Sequence, residues 1–121
     1  MVFRKLLFWL FAICTLMPTT SVMAEEYMLS GRGVNSCQGF LNDSVRGSEW
    51  DYIYFQWAEG YMSALNVRNQ ERVGQFVNLE PNEFDGLQRI QYLKNWCSEN
   101  PDKPFVIGVG ILYDFLRSLA Q

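Results

Sequence analysis

The chain has 121 residues, which is the length of one small domain rather than of several. Hydrophobic residues make up 49% of the sequence and charged residues 19%, so the chain is too apolar for a disordered polymer. Ten Lys and Arg stand against thirteen Asp and Glu, and the formal net charge of −3 disfavours nucleic acid, whose partners carry a basic surface. Histidine is absent, which excludes Ser–His–Asp and Cys–His catalysis and histidine-ligated zinc.

The first 24 residues have the three-part layout of a cleaved secretory signal. Arg4 and Lys5 precede an apolar run over residues 6–17, and Val22-Met23-Ala24 offers a cleavage site after Ala24. A membrane span needs about 20 apolar residues, and this run is shorter. We therefore expect a periplasmic or secreted protein with no membrane segment after cleavage. Loss of Arg4 and Lys5 with the leader changes the formal net charge from −3 to −5.

Two cysteines remain beyond the leader, Cys37 and Cys97. In an oxidising compartment an isolated pair is more often a disulfide than two thiols. A redox function is disfavoured because the chain has no Cys-x-x-Cys motif. The sequence therefore predicts a structural Cys37–Cys97 bridge, and the loop-entropy account assigns it about 4 kcal/mol.

The mature chain has the hydrophobic periodicity of an all-α fold, a small bundle of about four helices. Residues 25–35 are expected to be a flexible lead, and residues 36–121 a single helical domain. Asn35 or Ser36 is expected to cap a short first helix. The third helix is predicted to start near residues 81–82 and to end at Asn100, before a proline. The fourth runs from Pro104 to Leu119, and its Gly108 and Gly110 predict close approach of a neighbouring helix.

The second helix has the strongest pattern and is predicted to begin at a Ser48 cap and to end near Asn69. Phe55 and Met62 lie beside its apolar stripe. Large apolar residues outside a core stripe are typical of binding surfaces, so these two are candidate partner-binding residues. The alternative is that they pack beneath the polar segment 68–81. The stripe itself consists of Trp50, Ile53, Tyr54, Trp57, Ala58, Tyr61, Ala64 and Leu65.

Two local patterns that resemble ligand sites are interpreted as structural. Gly108-Val109-Gly110 lacks the third glycine of a nucleotide-binding loop, because Tyr113 stands at that position. The acidic cluster at Glu80, Glu83 and Asp85 lacks the spacing of a calcium loop. The sequence therefore predicts no cofactor, no metal site and no enzymatic activity.

Three short motifs carry a resemblance to known exported proteins. They are Cys37-x-x-Phe40-Leu41, Gly60-Tyr61-x-x-Ala64-Leu65-Asn66, and Cys97 shortly before Asn100-Pro101. This pattern covers most of residues 36–119. It resembles the HdeA acid-stress chaperones and is similar to the Rap1a-type immunity proteins of the type VI secretion system. The resemblance implies a small, disulfide-bridged helical protein with a protein partner.

Two functions follow from that resemblance. The first is a non-enzymatic periplasmic protein that covers the apolar surface of client proteins under acid stress. The second is an immunity or inhibitor protein that binds and neutralises a secreted toxin. A homodimer is a further possible assembly.

Overall fold

The computed structural model describes residues 29–119, and the predicted leader lies outside this range. It confirms the all-α fold and the bridge: Sγ of Cys37 and Sγ of Cys97 are 2.03 Å apart. Among the described residues, none of the helices is both long enough and apolar enough to cross a membrane. A short 3₁₀ turn, Gly31–Val34, precedes four helices: α1 (Cys37–Ser44), α2 (Ser48–Val73), α3 (Gly86–Glu99) and α4 (Phe105–Leu119).

The first and third helices begin at side-chain caps. Ser36 accepts a hydrogen bond from the backbone N–H of Gly39, which confirms it as the cap of α1. α3 starts at Gly86 rather than near residues 81–82, because Asp85 and Gln88 form a reciprocal capping box there. The polar segment between α2 and α3 therefore covers residues 74–85 instead of the predicted 68–81.

The ends of α2 also differ from the prediction. Gly47, not Ser48, occupies the N-cap position and makes no side-chain cap, so the predicted Ser48 cap is wrong. The helix continues past Asn69 to Val73, because residues 70–72 are good helix formers. It stops at Gly74, whose φ of 66° is the left-handed conformation that commonly ends helices.

α2 is the longest helix of the bundle, with 26 residues. It runs antiparallel to α3. Asp51 contacts Lys94, and Glu59, which comes later in α2, lies beside Arg89, which comes earlier in α3. It runs parallel to α4, since Trp57 packs near Phe105 while Asn69 bonds Tyr113 further along both helices. The most deeply buried large side chains between the helices are Phe40, Tyr54, Met62, Leu93, Phe105, Leu112 and Leu116.

Part of the segment predicted as a flexible lead is folded onto α2. The 3₁₀ turn packs against Trp57, whose indole N–H donates to the carbonyl oxygen of Ser30 at 3.0 Å. Gly33 is buried directly against the indole ring, where a side chain would have no space. Residues 31–34 of the predicted lead therefore form a packed 3₁₀ turn, because glycine lets this segment approach the ring closely.

The two glycines of α4 have different surroundings. A Cβ on Gly108 would lie 2.7 Å from a ring carbon of Trp96 on α3, which confirms the close helix approach there. A Cβ on Gly110 would meet nothing within 4 Å, so the same prediction is wrong for Gly110. Gly110 instead leaves open space beside α2.

This difference gives a matched pair of variants. Gly110→Ala is expected to raise the free energy of unfolding by about 1 kcal/mol, the difference in helix propensity. Gly108→Ala gains the same propensity but forces Trp96 to move, and overpacking costs about 1–3 kcal/mol, so we expect net destabilisation. Urea denaturation of both variants measures this. Stabilisation of both by equal amounts would show that Trp96 does not restrict α4.

Candidate protein-binding surface

One partly apolar surface feature of the described residues is a groove between α2 and α4. Its floor and walls are partly apolar, and its volume is about 540 Å³. Ile107 and Ile111, one helical turn apart on α4, are 48% and 39% exposed along it. We call this feature the α2–α4 groove and define it by Tyr61, Leu65, Val106, Ile107, Gly110 and Ile111.

The two ends of the α2–α4 groove differ in chemistry. Leu29, just before the 3₁₀ turn, lines it at the end nearest Trp57. Asp114 and Arg117, which form an ion pair with each other, line it at the other end. The groove is therefore apolar along most of its length and charged at the end where α4 finishes.

A polar network fixes the wall of the groove at its charged end. The hydroxyl of Tyr113 donates to Oδ1 of Asn66 at 2.8 Å, and Nδ2 of Asn69 donates to the same hydroxyl at 2.7 Å. Asn66 also exchanges two hydrogen bonds with the backbone of Val77, at 2.8 and 2.9 Å. These bonds tie α2, α4 and the segment after α2 together, so the groove is preformed in the folded chain.

A second apolar area, the end patch, adjoins the charged end of the groove. It consists of Val67, Val73 and Phe76, and Phe76 is 73% exposed. The cavity beside it, about 680 Å³, is lined by Arg72 and shares Asn69 and Arg117 with the α2–α4 groove. The groove and the end patch therefore form one continuous surface with two arginines in its middle.

The residues predicted as partner-binding are not on this surface. Met62 is fully buried and Phe55 is 6% exposed, so their assignment to a contact surface is wrong for the folded chain. Phe55 lies under the guanidinium of Arg89 on α3, 5.1 Å from the ring centroid, and close to Gly86. On the side of Phe55, α2 is covered by α3 and the segment before it. Ile53 and Ala64, which belong to the predicted stripe, are exposed.

A sequence signal for the groove did exist. Ile107 and Ile111 are large apolar residues that stand outside the apolar stripe of α4, on nearly the opposite side of the helix. Among residues 29–119, both isoleucines stay exposed.

Away from the groove, Asp43 joins three elements. Its carboxylate accepts hydrogen bonds from the Tyr54 hydroxyl at 2.9 Å and from Arg46 at 3.2 Å, and Arg32 of the 3₁₀ turn lies 4.0 Å away. Nδ2 of Asn35 donates to the same hydroxyl at 2.7 Å. Burial raises the pKa of Tyr54 above its ordinary value; the bond from Asn35 acts in the opposite direction, and the charge of Asp43 adds to the increase.

A second carboxylate joins the first three helices. Asp51 on α2 accepts a hydrogen bond from Nζ of Lys94 on α3 at 2.6 Å and another from the Ser44 hydroxyl on α1 at 2.5 Å. Its side chain is only 12% exposed, so this ion pair is less screened than a surface pair. Asp43 and Asp51 therefore both join α2 to neighbouring elements through hydrogen bonds.

The acidic cluster noted in the sequence has an ordinary structural environment. Asp85 caps α3, and Glu80 and Glu83 are exposed. Within residues 29–119, no three Cys, Asp or Glu side chains are grouped so that they could hold a metal ion.

Comparison of the chain with protein-family models, with curated proteins and with solved structures finds no match. The inference of function therefore starts from the α2–α4 groove and the carboxylate contacts.

Proposed function

We propose that this chain is an exported, non-enzymatic binding protein that covers apolar surface of client proteins under acid stress. The single observation that carries the proposal is the preformed α2–α4 groove, in which Ile107 and Ile111 are exposed. Exposed apolar surface of this kind is typical of protein interaction sites. Its elongated shape and apolar lining suit an extended apolar segment of another protein.

The expected pH dependence of client binding follows from the net charge of residues 25–121. Residues 25–121 contain thirteen Asp and Glu and eight Lys and Arg, so full protonation of the carboxylates changes the formal charge from −5 to +8. Carboxylates titrate near pH 4 in model peptides, and the absence of histidine leaves little to titrate between about pH 5 and 7. We therefore expect the change to occur below about pH 5, with self-repulsion of the positive charges.

The same repulsion would act on the 3₁₀ turn, in which Nη1 of Arg32 lies 4.0 Å from Oδ2 of Asp43. That turn covers Trp57, and Trp57 stacks on Tyr61 of the groove with ring centroids 5.4 Å apart. Loosening of the turn would therefore extend the apolar groove toward Trp57. The Cys37–Cys97 bridge would limit further unfolding, because it keeps α1 attached to α3.

The test is a light-scattering assay with citrate synthase as the client, at about pH 2–3 and at pH 7. The unchanged protein is expected to suppress scattering at the acidic pH and to have little effect at pH 7. Ile107→Ser combined with Ile111→Ser is expected to remove roughly half or more of that suppression, because central apolar residues dominate binding. Circular dichroism at pH 7 checks that the variant keeps its fold.

Leu87→Ser is the matched control, because Leu87 is 65% exposed on α3 and does not line the groove. It is expected to suppress scattering as well as the unchanged protein. If both variants lose suppression equally, the groove is not the client-binding surface. Equal suppression at both pH values, or none at acidic pH, would contradict the acid-stress function.

A second candidate function is an immunity or inhibitor protein that binds one secreted toxin. The observation that favours it is the network of Tyr113, Asn66 and Asn69, which preforms the groove and so lowers the entropic cost of tight binding. This function predicts binding of a single partner at pH 7 that Ile107→Ser and Ile111→Ser weaken. Affinity capture from culture supernatants at pH 7 and at acidic pH, with both variants, distinguishes it from the first function.

A further inference from the structure

The cavity beside the end patch combines positive charge with apolar surface. Arg72, in the last turn of α2, and Arg117, in the last turn of α4, line it together with Val73 and Phe76. Its volume of about 680 Å³ lies within the range of about 300–1,000 Å³ that is typical of ligand sites. The chain carries a formal net charge of −3, yet no Asp or Glu among residues 29–119 lines this cavity.

Both arginines of this cavity keep hydrogen-bond donors for a partner. Within the described part of the chain, Arg72 forms no ion pair. Arg117 pairs with Asp114 one turn earlier on α4, but both side chains are more than half exposed, so this pair contributes little to stability. The dipoles of α2 and α4 favour cations in their last turns, which accounts for the position of the two charges. Because a guanidinium has five N–H donors, each arginine can still bind a carboxylate.

The apolar wall of the cavity is held in place on both sides of Phe76. Gly74 ends α2, and its backbone N–H donates to the carbonyl oxygen of Gln70 at 3.0 Å. The backbone of Val77 exchanges hydrogen bonds of 2.8 and 2.9 Å with the side chain of Asn66. Phe76 stands between these two positions and is exposed. A wall that is already ordered lowers the entropic cost of binding a partner.

An exposed aromatic ring beside two guanidinium groups suits a partner that has both apolar and acidic side chains. The apolar side chain would cover Phe76 and Val73, and the acidic one would meet Arg72 and Arg117. Nucleic acid is disfavoured as the source of negative charge, because the chain as a whole is negative.

We propose that the end patch and its cavity bind, at neutral pH, an exposed protein segment in which apolar residues adjoin Asp or Glu. The inference goes beyond the proposed function, because it concerns neutral pH and a cavity that Ile107 and Ile111 do not line.

The probe is the peptide Leu-Phe-Glu-Glu, blocked at both ends so that only its side chains are charged, and its matched control is Leu-Phe-Gln-Gln. NMR at pH 7 follows the backbone N–H signal of Gly74 and the Nε–H signals of Arg72 and Arg117. The Glu peptide is expected to move these signals to saturation. The Gln peptide is expected to bind about three- to twentyfold more weakly, as loss of two exposed ion pairs does. An increase in salt from about 0.1 to 1 M is expected to weaken only the Glu peptide, because it shortens the screening length from about 10 to 3 Å.

Matched variants test the two halves of the site. Arg72→Gln is expected to weaken binding of the Glu peptide by about two- to fivefold. Lys103→Gln removes the same charge from an exposed residue that precedes α4 and does not line the cavity, so it is expected to leave binding unchanged. Phe76→Ser is expected to weaken binding about tenfold through loss of apolar contact, whereas Leu87→Ser, on α3, is expected to have no effect. Circular dichroism checks that each variant keeps its fold.

Equal binding of the Glu and Gln peptides would overturn the inference, and so would equal weakening by Arg72→Gln and Lys103→Gln. Inorganic phosphate is the control for a site that binds small anions only. If phosphate moves the signals of Gly74 and both arginines as far as the Glu peptide does, the inference fails. Signals that change with protein concentration in the absence of peptide would also overturn it and would identify a second copy as the occupant.

The client assay keeps this inference separate from the proposed function. The Ile107→Ser, Ile111→Ser protein is expected to bind the Glu peptide normally at pH 7 while it loses suppression of client scattering at acidic pH. Peptide binding by the unchanged protein without suppression at acidic pH would support this inference and contradict the proposed function. Suppression at acidic pH without peptide binding at pH 7 would do the reverse.

Discussion

Replacement of Cys37 and Cys97 together by alanine is expected to lower the free energy of unfolding by about 4 kcal/mol. The bridge closes a loop of 60 residues, and in the loop-entropy account its removal restores that much disorder to the unfolded chain. A domain of this size has a total stability of about 5–15 kcal/mol, so the variant should be close to unfolding at ordinary temperature. Urea denaturation followed by far-UV circular dichroism measures the loss.

Reduction of the unchanged protein with dithiothreitol is the control for this prediction, because it opens the bridge without removing either side chain. Both sulfurs are fully buried, so reduction is expected to be slow in the folded chain and fast in urea. A loss below about 1 kcal/mol in both experiments would contradict the assignment of the bridge as a main source of stability.

Met62→Ala is expected to lower the free energy of unfolding by about 2–5 kcal/mol, because truncation of a fully buried side chain leaves a cavity in the core. The sequence instead places Met62 beside the apolar stripe of α2, as a candidate partner-binding residue. Thermal and urea denaturation, each followed by circular dichroism, measure the effect.

Phe76→Ala is the matched control for Met62→Ala. Phe76 is exposed in the end patch, and surface substitutions change stability by about 0.5 kcal/mol or less. If the two variants lose similar stability, the difference between core and surface described here is incorrect. A small effect of both would mean that Met62 does not pack between the helices.

Several features of the fold follow from local chemistry and were predictable from the sequence. The isolated cysteine pair predicts the bridge, Ser36 predicts the start of α1, and the Asn100-Pro101 step predicts the end of α3. Gly108 predicts the close approach of α3 and α4. Each of these signals depends on one or two residues and their immediate neighbours.

The location of the binding surface depends on long-range packing and was not predictable in the same way. α2 packs against α1, α4 and the 3₁₀ turn, and its Asp51 and Phe55 contact Lys94 and Arg89 of α3. Periodicity alone does not determine which part of such a helix is exposed. Ile53 is exposed although it belongs to the predicted stripe, and Met62 is buried although it lies outside that stripe.

The position of the bridge relative to the exposed segment after α2 also affects how the protein tolerates proteases. Gly74, Gln75 and Phe76 are exposed and lie outside any helix, which makes this segment a preferred cleavage site. A cut there separates the α1–α2 half of the chain from the α3–α4 half. Because the cut lies between Cys37 and Cys97, the two halves stay covalently joined. A nicked molecule would therefore migrate as one species without reductant and as two fragments with it.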